Sequence, residues 1–512
     1  MMLTRLAVLL SKGLAGLIRL SGRGAGTSLP GKLLLGLNPR ILEAMSQSWQ
    51  QASNGVKPSK PVIAITGTNG KTTTSGLMSA LLSVLKPPIC VINNHLGANM
   101  LGGIATALAL QTNTWGEITA DAAVLEVDEA SLRAVMDQMP AQSIVVTNLF
   151  RDQLDRYGEL DTTARMILDG IDSAKPKTLY LNADDPLVTH LGAGSKLGGH
   201  DSFSVKTFGI DHVYYGENDS RPENSPDNSN TLASLVPFPR EVTTCPRCAE
   251  QTDLSGNSAL HYQQIHFGHL GHYHCPRCGF SRPQPDVCAA QVTLYPDRSL
   301  VTLQWYQADT IEIELPLPGL FNVYNLLAAL APLKELLELS PLGHSLDWPA
   351  CQKALTDYQT VFGRAEHLTL RDKAGQGKSV MVMLIKNPVG ASEVLKLVAS
   401  DPNGQLCVVL NDNYADGRDV SWIWDAQFES LSNAQKSNTQ KRPIWVSGTR
   451  AGDMATRLKY AGLDPVMLTI ETDPIQAVMG AVEKMDSGQT LYVLPTYTAL
   501  LTLRPFFEGQ KH

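Results

Sequence analysis

Long hydrophobic runs are missing from this 512-residue chain. No stretch approaches the ~18 uninterrupted apolar residues of a membrane-spanning helix, which excludes an integral helical membrane protein. An excess of basic charge is missing too. Lys+Arg 42 against Asp+Glu 49 leaves −7 at pH 7, so no polybasic field exists to hold nucleic acid. Charged residues make up 18% and hydrophobic residues 43%, values that exclude wholesale disorder, collagen and coiled coil. Cysteine is scarce, 8 in the whole chain, far too dilute for a disulfide scaffold, yet half of it falls in two short pairs.

Met1 to Leu20 lacks the pattern of a signal peptide, because Arg5, Lys12 and Arg19 recur through the apolar residues instead of preceding them. Leu6, Leu9, Leu10, Leu14, Leu17 and Ile18 lie between, a spacing that suits an amphipathic helix with a basic face. Such a helix can pack on its own protein or lie against an anionic membrane surface. The chain is therefore expected in the cytoplasm, with peripheral contact at the inner face of the membrane left open.

From Pro61 short apolar runs alternate with amphipathic helices. VIAIT (62–66), ICVIN (89–93), AAVLEV (122–127), SIVVTN (143–148) and TLYLN (178–182) read as buried strands, and the alternation implies βαβ units and a parallel sheet. The pattern pauses near Glu217, where a polar, proline-containing stretch (217–230) reads as a disordered surface loop. Strand-like text resumes after the cysteine pairs, followed by a helix over 323–339 and a connection around 346–358. A second α/β pattern has strands at 380–385, 406–411, 443–448 and 490–495. We expect an N-terminal extension (1–58), a central α/β domain (59–358) with an insertion near 240–285, and a smaller C-terminal α/β domain (359–512).

Between the first strand and its helix lies ITGTNGKTTT (65–74). The strict phosphate-loop pattern has a glycine where Ile65 stands. Gly67, Thr68, Asn69, Gly70, Lys71, Thr72 and Thr73 nevertheless supply inward-turning backbone N–H groups, a helix N-terminus and a lysine for terminal phosphates. The Thr72 hydroxyl is placed to bind Mg²⁺. Glu126 ends a parallel strand, where carboxylates face the ligand crevice, and can complete that Mg²⁺ shell. Asp128 and Glu129 either join it or simply begin the next helix.

Cys245-Pro-Arg-Cys248 and Cys275-Pro-Arg-Cys278 repeat one knuckle with 26 residues between them. Paired CxxC knuckles in a reducing compartment predict a closed, structural Cys₄ Zn²⁺ site. The histidines between them (His261, His266, His269, His272, His274) are alternative ligands. Cys90, Cys288, Cys351 and Cys407 are isolated and read as core residues.

TGTNGKTTT, the strand ending in Glu126, TNLFRDQLDRYGE (147–159), LNADDP (181–186), LPGLFNVYNLLAALA (317–331) and FGRAEH (362–367) occur in the order seen in the Mur ligases. The chain resembles that family. The inserted cysteine ribbon and the texts LIKNPVGASEVL and LNDNYADGRDVSWIWDAQFE make it most similar to the branch that amidates lipid II. The resemblance implies a Mur ligase-like fold and formation of an acyl phosphate from ATP with Mg²⁺. It places Asn322 and Asn325 toward adenine and Arg364 near the phosphates. Three departures stand out: Gln153 replaces the usual histidine, no lysine lies between Arg156 and Lys175 where amino-acid-adding ligases carry a carbamylated one, and Leu384-Ile-Lys386-Asn387-Pro388 replaces Asp-Tyr-Ala-His-Asn-Pro. All three suit ammonia as the nucleophile.

Ammonia is usually drawn from glutamine by a cysteine nucleophile, and no lone cysteine here sits in a nucleophile elbow. The resemblance therefore implies a GatD-like class I glutaminase subunit as partner, its histidine oriented by an aspartate from this chain: Asp412, Asp416, Asp419 or Asp425. The expected activity is ATP-dependent amidation of the D-glutamate α-carboxylate of lipid II. Two alternatives are a stand-alone amino-acid ligase of the Mur or folylpolyglutamate kind and a nucleotide-regulated scaffold.

Overall fold

The computed structural model describes residues 8–9, 11–16, 29–51, 60–94, 99–113, 117–151, 160–194, 203–216, 242–249, 260–306, 310–339, 345–360, 363–401, 403–432 and 443–510. The polar loop at 217–230, Gln153 and much of the first twenty residues lie outside them.

Apolar runs become strands β1 (Val62–Thr66), β2 (Val91–Asn93), β3 (Ala122–Glu126), β4 (Ser143–Val146), β5 (Thr178–Asn182) and β6 (Ser204–Tyr215). A hairpin, β7 (His261–Phe267) and β8 (Leu270–His274), precedes β9 (Val287–Leu294), β10 (Ser299–Trp305) and β11 (Thr310–Leu315). All but the hairpin join one sheet in the order β11-β10-β9-β6-β5-β4-β1-β3-β2. From β2 to β9 across this order every pairing is parallel. β1, β3, β4 and β5 are buried at every position, as a parallel sheet covered on both faces requires. The second sheet contains β12 (Arg364–Arg371), β13 (Gly377–Met383), β14 (Gln405–Val409), β15 (Ile444–Ser447), β16 (Leu468–Ile470) and β17 (Thr490–Pro495), in the order β12-β13-β17-β14-β15-β16. The expected α/β class and parallel sheet are borne out.

The strand pattern before the cysteines gains a sixth member, and two local readings need correction. β6 runs to Tyr215 and pairs directly with β9, so the sheet continues across the cysteine insertion. The helix expected over 323–339 is two, Leu320–Leu330 and Leu333–Leu339. Pro332 stands between them, and its missing N–H breaks the ladder. The connection near 346–358 contains a helix, Trp348–Thr356, with proline in its first turn, where the absent N–H costs nothing.

Leu320–Glu338 is the one stretch among the described residues long and apolar enough to cross a membrane, and 78% of it is buried inside the protein. Its apolar character belongs to the core. In the described part of the N-terminal helix, Val8, Ser11 and Ala15 are buried, and Lys12 Nζ donates to the Thr112 carbonyl at 2.5 Å. The next helix, Leu29–Leu37, crosses Leu101–Leu110 so closely that a Cβ on Gly31 would collide with the Gly102 carbonyl oxygen. Gly31 N also donates to Thr106 Oγ1 at 2.8 Å. Gly31→Val should therefore destabilise the central domain by about 1–3 kcal/mol through overpacking, read as a lower midpoint in thermal unfolding; an unchanged midpoint contradicts this crossing.

Candidate active site

Ile65 on β1 is paired with Glu126 on β3. Both strands end at the same level, so the loop after β1 and the carboxylate ending β3 meet. Gly67 and Gly70 take φ +119 and +89, open to glycine at no steric cost. At Gly70 a Cβ would also collide with Asn325 Oδ1. The loop is held from β4 and its continuation: Thr68 N donates to the Asn148 carbonyl at 2.9 Å, Asn69 N to Asn148 Oδ1 at 2.9 Å, and Thr147 Oγ1 to the Asn69 carbonyl at 2.8 Å. Thr73 borders the same cleft at the start of the helix Lys71–Ser83.

Lys71 Nζ meets Glu129 Oε1 at 2.8 Å, both side chains being buried. Burial works against its charge, but Glu129, with Glu126 and Asp128 behind it, outweighs this and holds the ammonium above its usual pKa of 10.5. Thr72 Oγ1 donates to Glu126 Oε2 at 2.8 Å, and Asn99 Nδ2 to the other carboxylate oxygen at 3.2 Å. A hydroxyl and a carboxylate beside a phosphate loop are hard oxygen donors that fit Mg²⁺. Asp128 caps the short turn Glu129–Ser131 through Ala130 N and lines the same cleft, while Glu129 makes the ion pair with the lysine.

Asn322 and Asn325 lie one turn apart on the helix Leu320–Leu330 and both line the cleft. Asn322 Nδ2 donates to the Pro318 carbonyl at 2.8 Å, and Asn325 Nδ2 to Asn322 Oδ1 at 3.3 Å. Arg364, at the start of β12, borders the cleft with Lys386 and Leu384. Lys386 Nζ donates to the Thr68 carbonyl at 3.3 Å, and Asn387 Nδ2 to Asn69 Oδ1 at 3.0 Å. Asn387 also caps the helix Pro388–Ser400. Lys386, Asn387, Asn99 and Asn148 were not expected as site residues. The only signal for the first two was the motif at 384–388, where Lys386 stands at the family's histidine and Asn387 keeps its asparagine.

The four candidate aspartates separate. Asp416 is buried, faces the phosphate loop, and accepts from Thr498 N at 2.7 Å and from the Thr498 hydroxyl. Asp412 pairs with Arg450 at 3.3 Å and accepts from Thr449 Oγ1 at 2.9 Å. Asp419 and Asp425 are exposed. Asp419 accepts from Ser421 N at 2.8 Å, which together with the Ser421 side chain lowers its pKa. Trp424 stays half exposed, its ring tilted against that of Tyr460 with centroids 5.8 Å apart; Trp422 borders the cleft.

Cys245, Cys248, Cys275 and Cys278 converge, with all Sγ atoms within 4.8 Å of one another. The Cys245–Cys278 and Cys248–Cys275 separations are 3.6 and 3.9 Å. Tetrahedral Zn²⁺ with ~2.3 Å bonds to sulfur needs separations of about 3.8 Å, so the residues fit the metal. Of the alternative ligands, His266 and His272 face the Ile210 carbonyl at 2.9 and 3.0 Å, His269 lies against Asp185 at 3.3 Å, and His261 and His274 lie edge to face with ring centroids 5.4 Å apart. Asp184 joins His266 and His272 in a second cluster, where Arg282 Nε at 2.5 Å supplies the positive charge. Of the isolated cysteines, Cys288, Cys351 and Cys407 are buried, but Cys90 is exposed. Cys90 sits just before β2, outside the strand, with its N–H bonded to Asp121 Oδ2 at 3.0 Å. Burial pushes the Cys407 thiol up to about 12, and burial with Asp347 pushes Cys351 up to about 11, so neither is a thiolate at neutral pH. Elemental analysis of the purified chain should find one zinc per molecule, with X-ray absorption reporting four sulfur neighbours at about 2.3 Å; nitrogen neighbours contradict the Cys₄ assignment.

Comparison with known proteins agrees with this geometry. The Mur ligase middle domain model matches residues 65–233 and the MurT ligase C-terminal model matches 384–500. The MurT subunit of lipid II isoglutaminyl synthase (glutamine-hydrolyzing) from Streptococcus pneumoniae is 33% identical over 96% of this chain and 94% of its own. The MurT subunit from Staphylococcus aureus strain COL is 32% identical over 97% and 98%. A crystal structure of MurF from Acinetobacter baumannii shares the fold, with a TM-score of 0.59 at 15% identity, over 93% of this chain and 79% of that one. Phosphate loop, strand-end carboxylate, cysteine cluster and full-length similarity agree, and the chain belongs to the MurT family of Mur ligases.

Proposed function

We propose that this chain is the ATP-dependent synthetase subunit of a lipid II isoglutaminyl synthase, converting the D-glutamate α-carboxylate of the stem peptide to D-isoglutamine with ammonia from a GatD-like glutaminase. The observation that carries this reading is the single cleft in which Lys71, Thr72 and Glu126 of one domain face Arg364 and Lys386 of the other. The relatives' name, a glutamine-hydrolysing synthase subunit, supports both the amide donor and a partner.

In this reading Gly67 to Thr73 cradle the ATP phosphates through backbone N–H groups, and Asn322 and Asn325 face the adenine. Thr72 and Glu126 hold Mg²⁺, which neutralises phosphate charge when bound. A carboxylate oxygen attacks the γ-phosphorus and ADP leaves, giving an acyl phosphate. Lys71, Lys386 and Arg364 offset the negative charge that builds up on the transferred phosphoryl group. Ammonia then attacks the acyl carbon, inorganic phosphate departs with the bridging oxygen, and the attacking nitrogen loses a proton. The relatives' naming as one subunit of a glutamine-hydrolysing synthase, with Cys288, Cys351 and Cys407 buried, favours glutamine hydrolysis by the partner. Exposed Asp419 and Asp425 can meet a partner's histidine; Asp416, bonded to Thr498, is the positioning residue that joins their loop to the cleft. The Cys₄ centre holds structural Zn²⁺, and the site of action is the cytoplasmic face where lipid II is made.

Lys71→Ala and Glu126→Ala should each lower glutamine- and ATP-dependent amidation of lipid II at least about 100-fold, the scale of losing one charge-stabilising group, measured by mass spectrometry of the stem peptide. Wild-type rates in both variants would overturn the site assignment. The same assay with ammonium chloride in place of glutamine should restore amidation when Asp419→Asn or Asp425→Asn has abolished the glutamine-dependent reaction.

A further inference from the structure

The cysteine insertion reaches the nucleotide cleft. β7 and β8 form a hairpin with His261 opposite His274 at one end, next to Cys275, and a turn at Gly268 and His269 at the other. At ~3.3 Å per residue, the hairpin places that turn about 20 Å from the cysteines. Phe267, beside the turn, lines the cleft with Asn322, Tyr324, Asn325 and Lys386. Its ring lies 5.5 Å from that of Tyr324 and 5.6 Å from that of Phe150. Phe150 is itself tied to the phosphate loop, since its N–H donates to Thr68 Oγ1 at 3.0 Å and its carbonyl accepts from that hydroxyl at 3.1 Å. A Cβ on Gly268 would lie 2.7 Å from Phe150 and 3.3 Å from Val389, so the turn also touches the C-terminal helix Pro388–Ser400.

The flank of the hairpin is fastened to the large sheet. His266 and His272 share the Ile210 carbonyl with Arg282, whose NH2 reaches it at 3.0 Å. Tyr324, on the helix that carries Asn322 and Asn325, donates to Asp184 Oδ2 at 2.7 Å. A two-stranded hairpin is marginal on its own, so its register depends on these flank contacts and on what closes its ends. One end is closed by the cysteine cluster and the other by the cleft.

We propose that Phe267 forms one wall of the purine subsite and that the Cys₄ centre, through the hairpin, positions that wall. The proposal rests on the ATP-site reading above. Aromatic rings offer a face or edge to any purine and bind it without hydrogen-bond readout, which complements the carboxamides of Asn322 and Asn325. The cysteine insertion is then part of the nucleotide site.

The test is calorimetric titration of the full-length chain with ADP, and with tripolyphosphate as a ligand lacking the purine. Phe267→Ala should weaken ADP about tenfold, the scale of one base–aromatic contact, while retaining zinc and leaving tripolyphosphate affinity unchanged; Phe267→Tyr should restore ADP binding. Cys278→Ser, or the wild-type chain stripped of zinc by a thiol reagent and chelator should that variant fail to fold, should weaken ADP in the same way. Unchanged ADP affinity in Phe267→Ala, or equal losses for ADP and tripolyphosphate, overturns the wall. Unchanged ADP affinity in the zinc-free chain overturns the positioning role. A wild-type chain that binds tripolyphosphate but not ADP overturns the purine-site reading itself.

Discussion

Ile65 on β1 is paired with Glu126 on β3, and this register brings the phosphate loop and its carboxylate out of the sheet side by side. A one-residue slip would turn Glu126 to the opposite face and leave Thr72 without its partner. The register is enforced by burial: every residue of both strands is enclosed, so any slip would move apolar side chains out of two cores at once. The chemistry of the site therefore draws its geometry from the hydrophobic sheet beneath it.

Around that fixed point the molecule arranges three further parts. The C-terminal sheet contributes Lys386 and Asn387, whose side chains bond directly to Thr68 and Asn69. The loop 412–425 has its inner side at Asp416 in the cleft and its outer side at Asp419 and Asp425 on the surface. An event at Asp419 is therefore three residues from Asp416, which lines the cleft beside the phosphate loop. The hairpin from the cysteine cluster meets both domains at Phe150 and Val389. Two of them contact the loop or residues that hold it and the third lines its cleft, and parts converging on one loop favour a preorganised site.

Much of this was legible in the sequence, for physical reasons. VIAIT, AAVLE and TLYLN are continuous apolar runs, and only strands buried on both faces need them. The glycines of 67–70 and the paired CxxC knuckles are local patterns, so spacing alone carries their chemistry. Pairings distant in sequence were not legible. Glu129 on Lys71, Asn148 on Asn69 and Tyr324 on Asp184 are separated by 58, 79 and 140 positions. Phe267 has no signature at all, since an aromatic residue in a hairpin reads as core until the fold places it at a cleft. Cys90 failed for a simpler reason: it ends the approach to a strand, and an apolar neighbourhood in sequence did not become burial in space.

Activation of a carboxylate by phosphoryl transfer at the Lys71 loop is the central claim, and isotope transfer tests it most directly. Lipid II labelled with oxygen-18 in its D-glutamate α-carboxylate would be amidated by the chain with ATP, Mg²⁺ and its ammonia source. Released phosphate should then carry one label for each amide formed, because the bridging oxygen leaves with phosphorus. Amide formed with unlabelled phosphate would contradict an acyl phosphate and, with it, the role given to the cleft.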